Sequence, residues 1–253
     1  MNHTNSSQGP VNKQEWRNYL RQKASGIENV SHEVCQNILK LLTQLKTETS
    51  QKEYWAAYMA MPKEISVESL LAQGDFGADS VSWVFPKVFK NLGIEKAKIE
   101  KTKIEKTKIE KTKIEKTKID EFGGQITSQI AGQITDQAVG QKMKELRFFS
   151  PGSAGFVSGY AGISEPAIDG VGGALRVPLS QVVGVLVPGL GFDKQGVRLG
   201  HGQGFYDRTL QGYLGFKIGV TCEALLVDKL PSESTDVCMD YLVTEKKIYK
   251  LSV

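Results

Sequence analysis

The residues best suited to chemistry fall in one stretch, Val187 to Arg208, which reads Val-Pro-Gly-Leu-Gly-Phe-Asp-Lys-Gln-Gly-Val-Arg-Leu-Gly-His-Gly-Gln-Gly-Phe-Tyr-Asp-Arg. Glycines at 200, 202 and 204 let backbone N–H groups converge on an anion with no Cβ in the way. A helix predicted from Phe205 to Gln211 adds the partial positive charge of its N-terminus. Arg198 supplies a planar, permanently charged fork. Asp207 is a hard oxygen ligand just past the loop, suited to the Mg²⁺ that accompanies a nucleotide. This inventory points to phosphate chemistry.

Ordinary structural roles compete for the same residues. Glycines in a loop more often make turns than phosphate cradles. Asp193-Lys-Gln-Gly196 has the makings of a type I turn, with Asp first and Gly last, so Asp193 is read as structural. His201, between two glycines, suits an exposed filler as well as a ligand. A dinucleotide fingerprint needs G-x-G-x-x-G directly after its strand and an acidic residue about 20 positions on. Here the glycines are spaced two apart and lie well beyond the apolar run at Val182 to Val187. Cys35, Cys222 and Cys238 are widely separated and form no C-x-x-C, and His3, His32 and His201 are equally scattered. Neither a disulfide framework nor a zinc site of the usual spacing can be assembled from them.

The elements that must position this stretch are legible from periodicity. Apolar residues recur at helical steps from Lys13 to about Thr47, with a break near Gly26. Tyr54 to Met61 and Val81 to Phe85 read as buried strands stopped by Pro62 and Pro86. Ser66 to Ala72 reads as a helix between them. Strands are predicted at Gln181 to Val187, Phe216 to Thr221 and Asp240 to Thr244, with a short helix at Glu223 to Leu230. Short apolar strands alternating with helices predict an α/β fold, a three-layer Rossmann-like domain with a mainly parallel sheet. The Gly loop belongs at the carboxyl end of the strand at 182–187.

One domain over residues 11–253 is expected, after a disordered tail at 1–10 and interrupted by a low-complexity surface insert at about 95–142. Residues 98–117 are four copies of Lys-Ile-Glu-Lys-Thr. A five-residue period turns each Ile about 140° from the last on a helix and to opposite faces on a strand, so no buried stripe forms. The chain's net charge of +4 equals the excess carried by this repeat alone, so the basic balance is no sign of a nucleic-acid partner. No apolar run approaches the roughly 20 residues of a membrane span. The polar start carries no basic or apolar stretch of a signal peptide, and a cytoplasmic monomer is the expectation.

The stretch Pro-Gly-x-x-Phe-Asp-x-x-Gly-x-Arg-Leu-Gly-x-Gly-x-Gly-x-Tyr-Asp resembles the signature of the 5-formyltetrahydrofolate cyclo-ligases, also called methenyltetrahydrofolate synthetases. Further segments resemble the family in its order. These are Lys13-Gln-Glu-Trp-Arg17, Tyr58-Met-Ala-Met-Pro-Lys-Glu64-Ile, Phe85-Pro-Lys87, Gly162-Ile-Ser-Glu165-Pro166, Leu230-Pro-x-x-x-x-Asp236 and Asp240-Tyr-Leu-Val-Thr244. The resemblance implies cyclisation of 5-formyltetrahydrofolate to 5,10-methenyltetrahydrofolate, with ATP as co-substrate and Mg²⁺ as cofactor. It further implies that Lys13, Arg17, Arg198, Leu199, Gly200, His201, Gly202, Gln203, Gly204, Phe205 and Tyr206 bind ATP. Of these, Arg198 and Lys13 act on the transferring phosphate. Met61 and Glu64 would meet the folate, and Asp207 and Asp236 the metal. Cys222 and Leu225 stand where the family usually has Phe and Gln. The competing expectation is an α/β enzyme, or a non-catalytic binding protein, that uses the Gly loop for another phosphorylated ligand.

Overall fold

The computed structural model describes residues 9–45, 53–72, 81–90 and 144–251. The chain divides into two units, Met1–Phe89 with Glu145–Val253, and Lys90–Lys144. The second unit lies outside the described residues apart from its first and last, so the insert expected at 95–142 does too. The expected tail at 1–10 lies outside them except for Gly9 and Pro10.

The first unit starts with helices α1 (Lys13–Ala24) and α2 (Ser31–Leu45), then strand β1 (Glu53–Ala56), helix α3 (Glu68–Ala72) and strands β2 (Val81–Lys90) and β3 (Lys144–Ser150). Next come β4 (Phe156–Ser158), β5 (Ser164–Pro166), β6 (Leu175–Val177), β7 (Val182–Pro188), β8 (Gly191–Asp193) and β9 (Arg198–Leu199). Helix α4 (Phe205–Leu210), β10 (Phe216–Val220), β11 (Leu226–Val227), β12 (Tyr241–Val243) and β13 (Ile248–Lys250) complete it.

Among the described residues the main sheet has eight strands, ordered β13-β12-β10-β7-β1-β2-β3-β6. β2, β1, β7, β10 and β12 run parallel to one another, while β13 pairs antiparallel with β12 and β6 with β3. Both faces are covered, which explains the near-continuous apolar runs in its central strands. Trp55, Leu186 and Ile218 pack on one side with Val34, Ile38 and Leu41 of α2 and Leu70 of α3. On the other side Ala56, Val185 and Val187 pack with Leu210 of α4 and Met239. The chain therefore forms the three layers expected.

The strand order reverses between β1 and β7, because β2 continues to one side of β1 and β7 starts the other. At such a switch the connections after the two strands part to opposite sides and leave a crevice at their carboxyl ends. Both segments that carry the signature residues begin there.

Three local expectations differ from the structure. β2 runs on through Pro86 rather than stopping at it. Its last residue paired with β1 is Val84, opposite Ala56, so the N–H that Pro86 lacks falls beyond that ladder. The helix expected at Glu223 to Leu230 is a single 3-10 turn, Glu223–Leu225, followed by β11, which pairs with β8. Tertiary pairing takes the backbone groups a helix would have used. β1 is shorter than its apolar run: Ala57 still donates to Val84 at 2.9 Å, after which the chain leaves the sheet.

Candidate functional site

A cavity of about 620 Å³ opens at the reversal point. Its wall contains Lys13, Arg17, Met61, Glu64, Asp236 and the whole run Arg198–Asp207, so every residue singled out in the sequence as a site residue lies on it. Three segments distant in the chain thus meet in one space, and Asp236 reaches it from a fourth, the loop before β12.

α1 brings the first. Asn12 caps it, its side chain accepting from the N–H groups of Gln14 and Glu15. Lys13, Arg17 and Leu20 follow at i, i+4 and i+7 and share a face. Leu20 is fully buried with Leu199, Cys222, Leu225 and Leu230, and this anchor turns Lys13 and Arg17 to the cavity. Arg17 Nε donates to the Gly200 carbonyl at 3.0 Å. Lys13 Nζ donates to both oxygens of Asp236, at 2.9 and 2.7 Å, and lies 3.1 Å from Glu233. Burial works against the ammonium, but the bonds to Asp236 and Glu233 outweigh it and hold its pKa above 10.5.

The second segment leaves β1. Lys63 adopts φ 73°, an uncommon conformation for a side-chain-bearing residue, in a turn closed by Glu64 N–H on the Met61 carbonyl at 3.0 Å. Glu64 Oε2 accepts from the Met61 N–H at 2.8 Å, and Oε1 lies 3.1 Å from His201 Nε2.

The third segment is the glycine stretch, in which residues 191–199 form a β8–β9 hairpin. Asp193 is structural, as its turn pattern indicates. Its carboxylate accepts from the N–H groups of Gln195, Val197 and Leu230 at 3.0, 2.9 and 3.0 Å. The hairpin places Arg198, only 9% exposed, beside the carboxyl end of β7. Arg198 donates through Nη1 to the Pro188 carbonyl at 3.2 Å and through Nη2 to Asp207 Oδ2 at 2.9 Å. Its guanidinium also lies 5.3 Å from the Tyr206 ring centre. Arg198 Nε is buried with no acceptor among the described residues, a spare donor for an anion. Gly202 and Gly204 have φ of 98° and 63°, which L side chains adopt only with strain.

Two pairings were not anticipated. Each cation assigned to phosphate holds a carboxylate assigned to metal: Lys13 with Asp236, and Arg198 with Asp207. Among the described residues no three His, Cys, Asp or Glu side chains cluster as a metal site. Mg²⁺ carried by a nucleotide needs only one or two protein carboxylates, the rest of its shell being phosphate oxygens and water. Asp207 and Asp236 fit that need in kind. Arg198 engages one of the two oxygens of Asp207.

Sequence reasoning left Tyr58 inside a run read as a buried strand and missed Tyr160. Tyr58 is 2% exposed yet lines the cavity, with its hydroxyl on the Ile65 carbonyl at 2.7 Å. Tyr160 sits between β4 and β5 and meets the Gly loop, edge-on to Phe205 at 5.4 Å. Glu165, already noted in a family-like Glu-Pro pair, bonds Lys87 Nζ and the N–H groups of Val88 and Tyr160. It thereby ties this hairpin to β2. No periodic pattern marks so short a hairpin. Cys222 and Leu225, the two departures, are buried behind α1 and are not among the cavity's lining residues.

Residues 132–245 match the model of the 5-formyltetrahydrofolate cyclo-ligase family. The chain is 41% identical over 77 residues to the 5-formyltetrahydrofolate cyclo-ligase of Escherichia coli (strain K12), covering 29% of this chain and 42% of that protein. It is 43% identical over 65 residues to that of Mycolicibacterium smegmatis, covering 25% and 34%. The chain thus spans about two fifths or less of the length of these curated relatives. Among solved structures it resembles the 5,10-methenyltetrahydrofolate synthetase of Aquifex aeolicus, with TM-score 0.60 and 23% identity over 95% of this chain and 93% of that one. The synthetase from Mycoplasma pneumoniae matches with TM-score 0.53 and 17% identity, over 93% and 99%. These two likenesses speak for the fold, and the family-model match falls on the part of the chain that carries the glycine stretch. Over residues 132–245 the chain is thus similar to the 5-formyltetrahydrofolate cyclo-ligase family, and its fold is that of the two synthetases.

Proposed function

We propose that the chain closes 5-formyltetrahydrofolate to 5,10-methenyltetrahydrofolate while ATP becomes ADP and phosphate. The formyl oxygen is a poor leaving group. It attacks the γ-phosphorus, ADP departs, and the carbon then carries a phosphate ester. The folate nitrogen at position 10 attacks that carbon, the C–O bond breaks, and phosphate leaves with the former formyl oxygen. The proton on that nitrogen passes to solvent. Such a reaction needs positioning and neutralisation of phosphate charge, not a nucleophilic side chain.

The residues divide accordingly. Residues 199–206 wrap the phosphates through backbone N–H groups, with Arg17 fixing the loop at Gly200. Arg198 and Lys13 face the transferred phosphoryl group as cations, and Glu64 and Met61 receive the pterin. Mg²⁺, held by Asp207 and Asp236, would neutralise charge building up on the phosphate oxygens. One observation carries this reading: the folate-side turn at Met61–Glu64 and the phosphate-side stretch from Arg198 share the walls of one cavity. Incubating the purified chain with 5-formyltetrahydrofolate and Mg-ATP should produce the near-ultraviolet absorbance of the methenyl product, with ADP formed in equal amount. Binding of ATP without that product would leave a nucleotide-binding protein instead.

A further inference from the structure

Glu64 Oε1 and His201 Nε2 lie 3.1 Å apart, so the carboxylate assigned to folate meets the phosphate loop directly across 137 positions of sequence. The two partners differ in how firmly they are held. The Glu64 side chain is only 7% exposed, and Oε2 is fixed by a backbone N–H within its own turn. The His201 side chain is 31% exposed and stands between glycines, one of them with φ 98°. Burial, and then the charge of Glu64, pushes the pKa of the Tyr58 and Tyr206 phenols up, so both stay neutral beside the carboxylate.

A pterin offers a carboxylate two parallel donors, an amino group and a ring N–H, and a planar pair of this kind calls on both carboxylate oxygens. Oε2 cannot readily shed a backbone donor built into its turn. Oε1 can exchange a side chain on a glycine-flanked loop.

We infer that His201 couples the two substrates by exchange: it holds Glu64 Oε1 until the pterin takes that place, and the released imidazole turns to the phosphates above its own loop. The inference rests on the function proposed above, which sets the pterin against Glu64 and ATP along residues 198–206. Its consequence is reciprocal. Folate frees a donor for ATP, ATP draws away the competitor of folate, and each must strengthen the other by the same factor.

The test is calorimetric titration of the full chain with 5-formyltetrahydrofolate, with and without Mg²⁺ and a non-hydrolysable ATP analogue. In the parent the nucleotide should tighten folate binding by about fivefold or more. His201→Ala should bind folate alone more tightly than the parent does, with a nucleotide effect of no more than about twofold. His201→Gln, which keeps a donor near the position of Nε2, should restore the weaker binding seen in the parent. A role confined to positioning Glu64 forecasts the reverse, weaker folate binding in His201→Ala. That result, or an undiminished nucleotide effect in the alanine variant, overturns the inference while leaving the proposed function intact. If the parent binds neither ligand, the function itself falls and the inference with it.

Discussion

Arg198 and Asp207 hold each other at 2.9 Å, and the pairing gives Asp207 two separable roles. One is to partner a guanidinium that is nearly buried. The other, in the proposed reaction, is to bring a negative oxygen to Mg²⁺. Asparagine keeps an acceptor for Arg198 but loses the charge; alanine loses both. Asp207→Asn should cut turnover by about a hundredfold or more, because charge stabilisation worth several kcal/mol is lost. Its melting temperature should stay close to that of the parent. Asp207→Ala should lose activity as well and also about 1–3 kcal/mol of stability, the cost of leaving a buried donor unpartnered. An Asp207→Asn enzyme working at the parent rate would remove Asp207 from the chemistry and leave it a structural partner. At this scale the sequence was most informative, since the identities and spacing of Arg198, Glu64, Asp207 and Asp236 were read without coordinates. The pairings were not readable. Lys13 and Asp236 are 223 positions apart, and nothing local in either segment announces the other.

The glycine loop depends on backbone shape, and Gly202 tests it. At φ 98° a side chain is strained whatever room it has, and a Cβ there would meet Arg17 Cζ at an unstrained 3.4 Å. Strain, not collision, therefore sets the effect of Gly202→Ala. It should cost roughly 1–2 kcal/mol and raise the KM for ATP more than that for the folate. A KM change confined to the folate would place the loop on the wrong substrate. Among the elements, those with a strong period of their own were legible: α1, α2, β7, β10 and the start of α4 fall where the pattern puts them. The β8–β9 hairpin was not, because Gly191 to Leu199 reads as one loop until β11 arrives to pair with β8. The same pairing undid the helix expected after Glu223. Pro86 misled for a related reason, since whether a proline stops a strand depends on which neighbour needs its N–H. Short strands take their identity from partners, and partners are not written locally.

At the scale of the whole molecule the question is what the Lys-Ile-Glu-Lys-Thr repeat adds. It lies in the connection between β2 and β3, which are adjacent in the sheet, so the two ends of that connection leave from neighbouring strands. Its five-residue period offers no face to bury. Closing a flexible loop costs only the logarithm of its length, and halving the connection changes that cost by about 0.6 kcal/mol, in favour of the shorter chain. We propose that deleting residues 98–117 leaves the activity proposed above within a few-fold of the parent and does not lower the melting temperature. The deletion also removes the net excess of positive charge, so the pI should fall while the KM for ATP, set by Arg198, Lys13 and the Gly loop, stays in place. Activity and melting curves of the deleted and full-length chains, measured side by side, decide the matter. A deleted chain that no longer folds, or that folds and loses its affinity for ATP, would mean the repeat contributes to the protein's core or to its site.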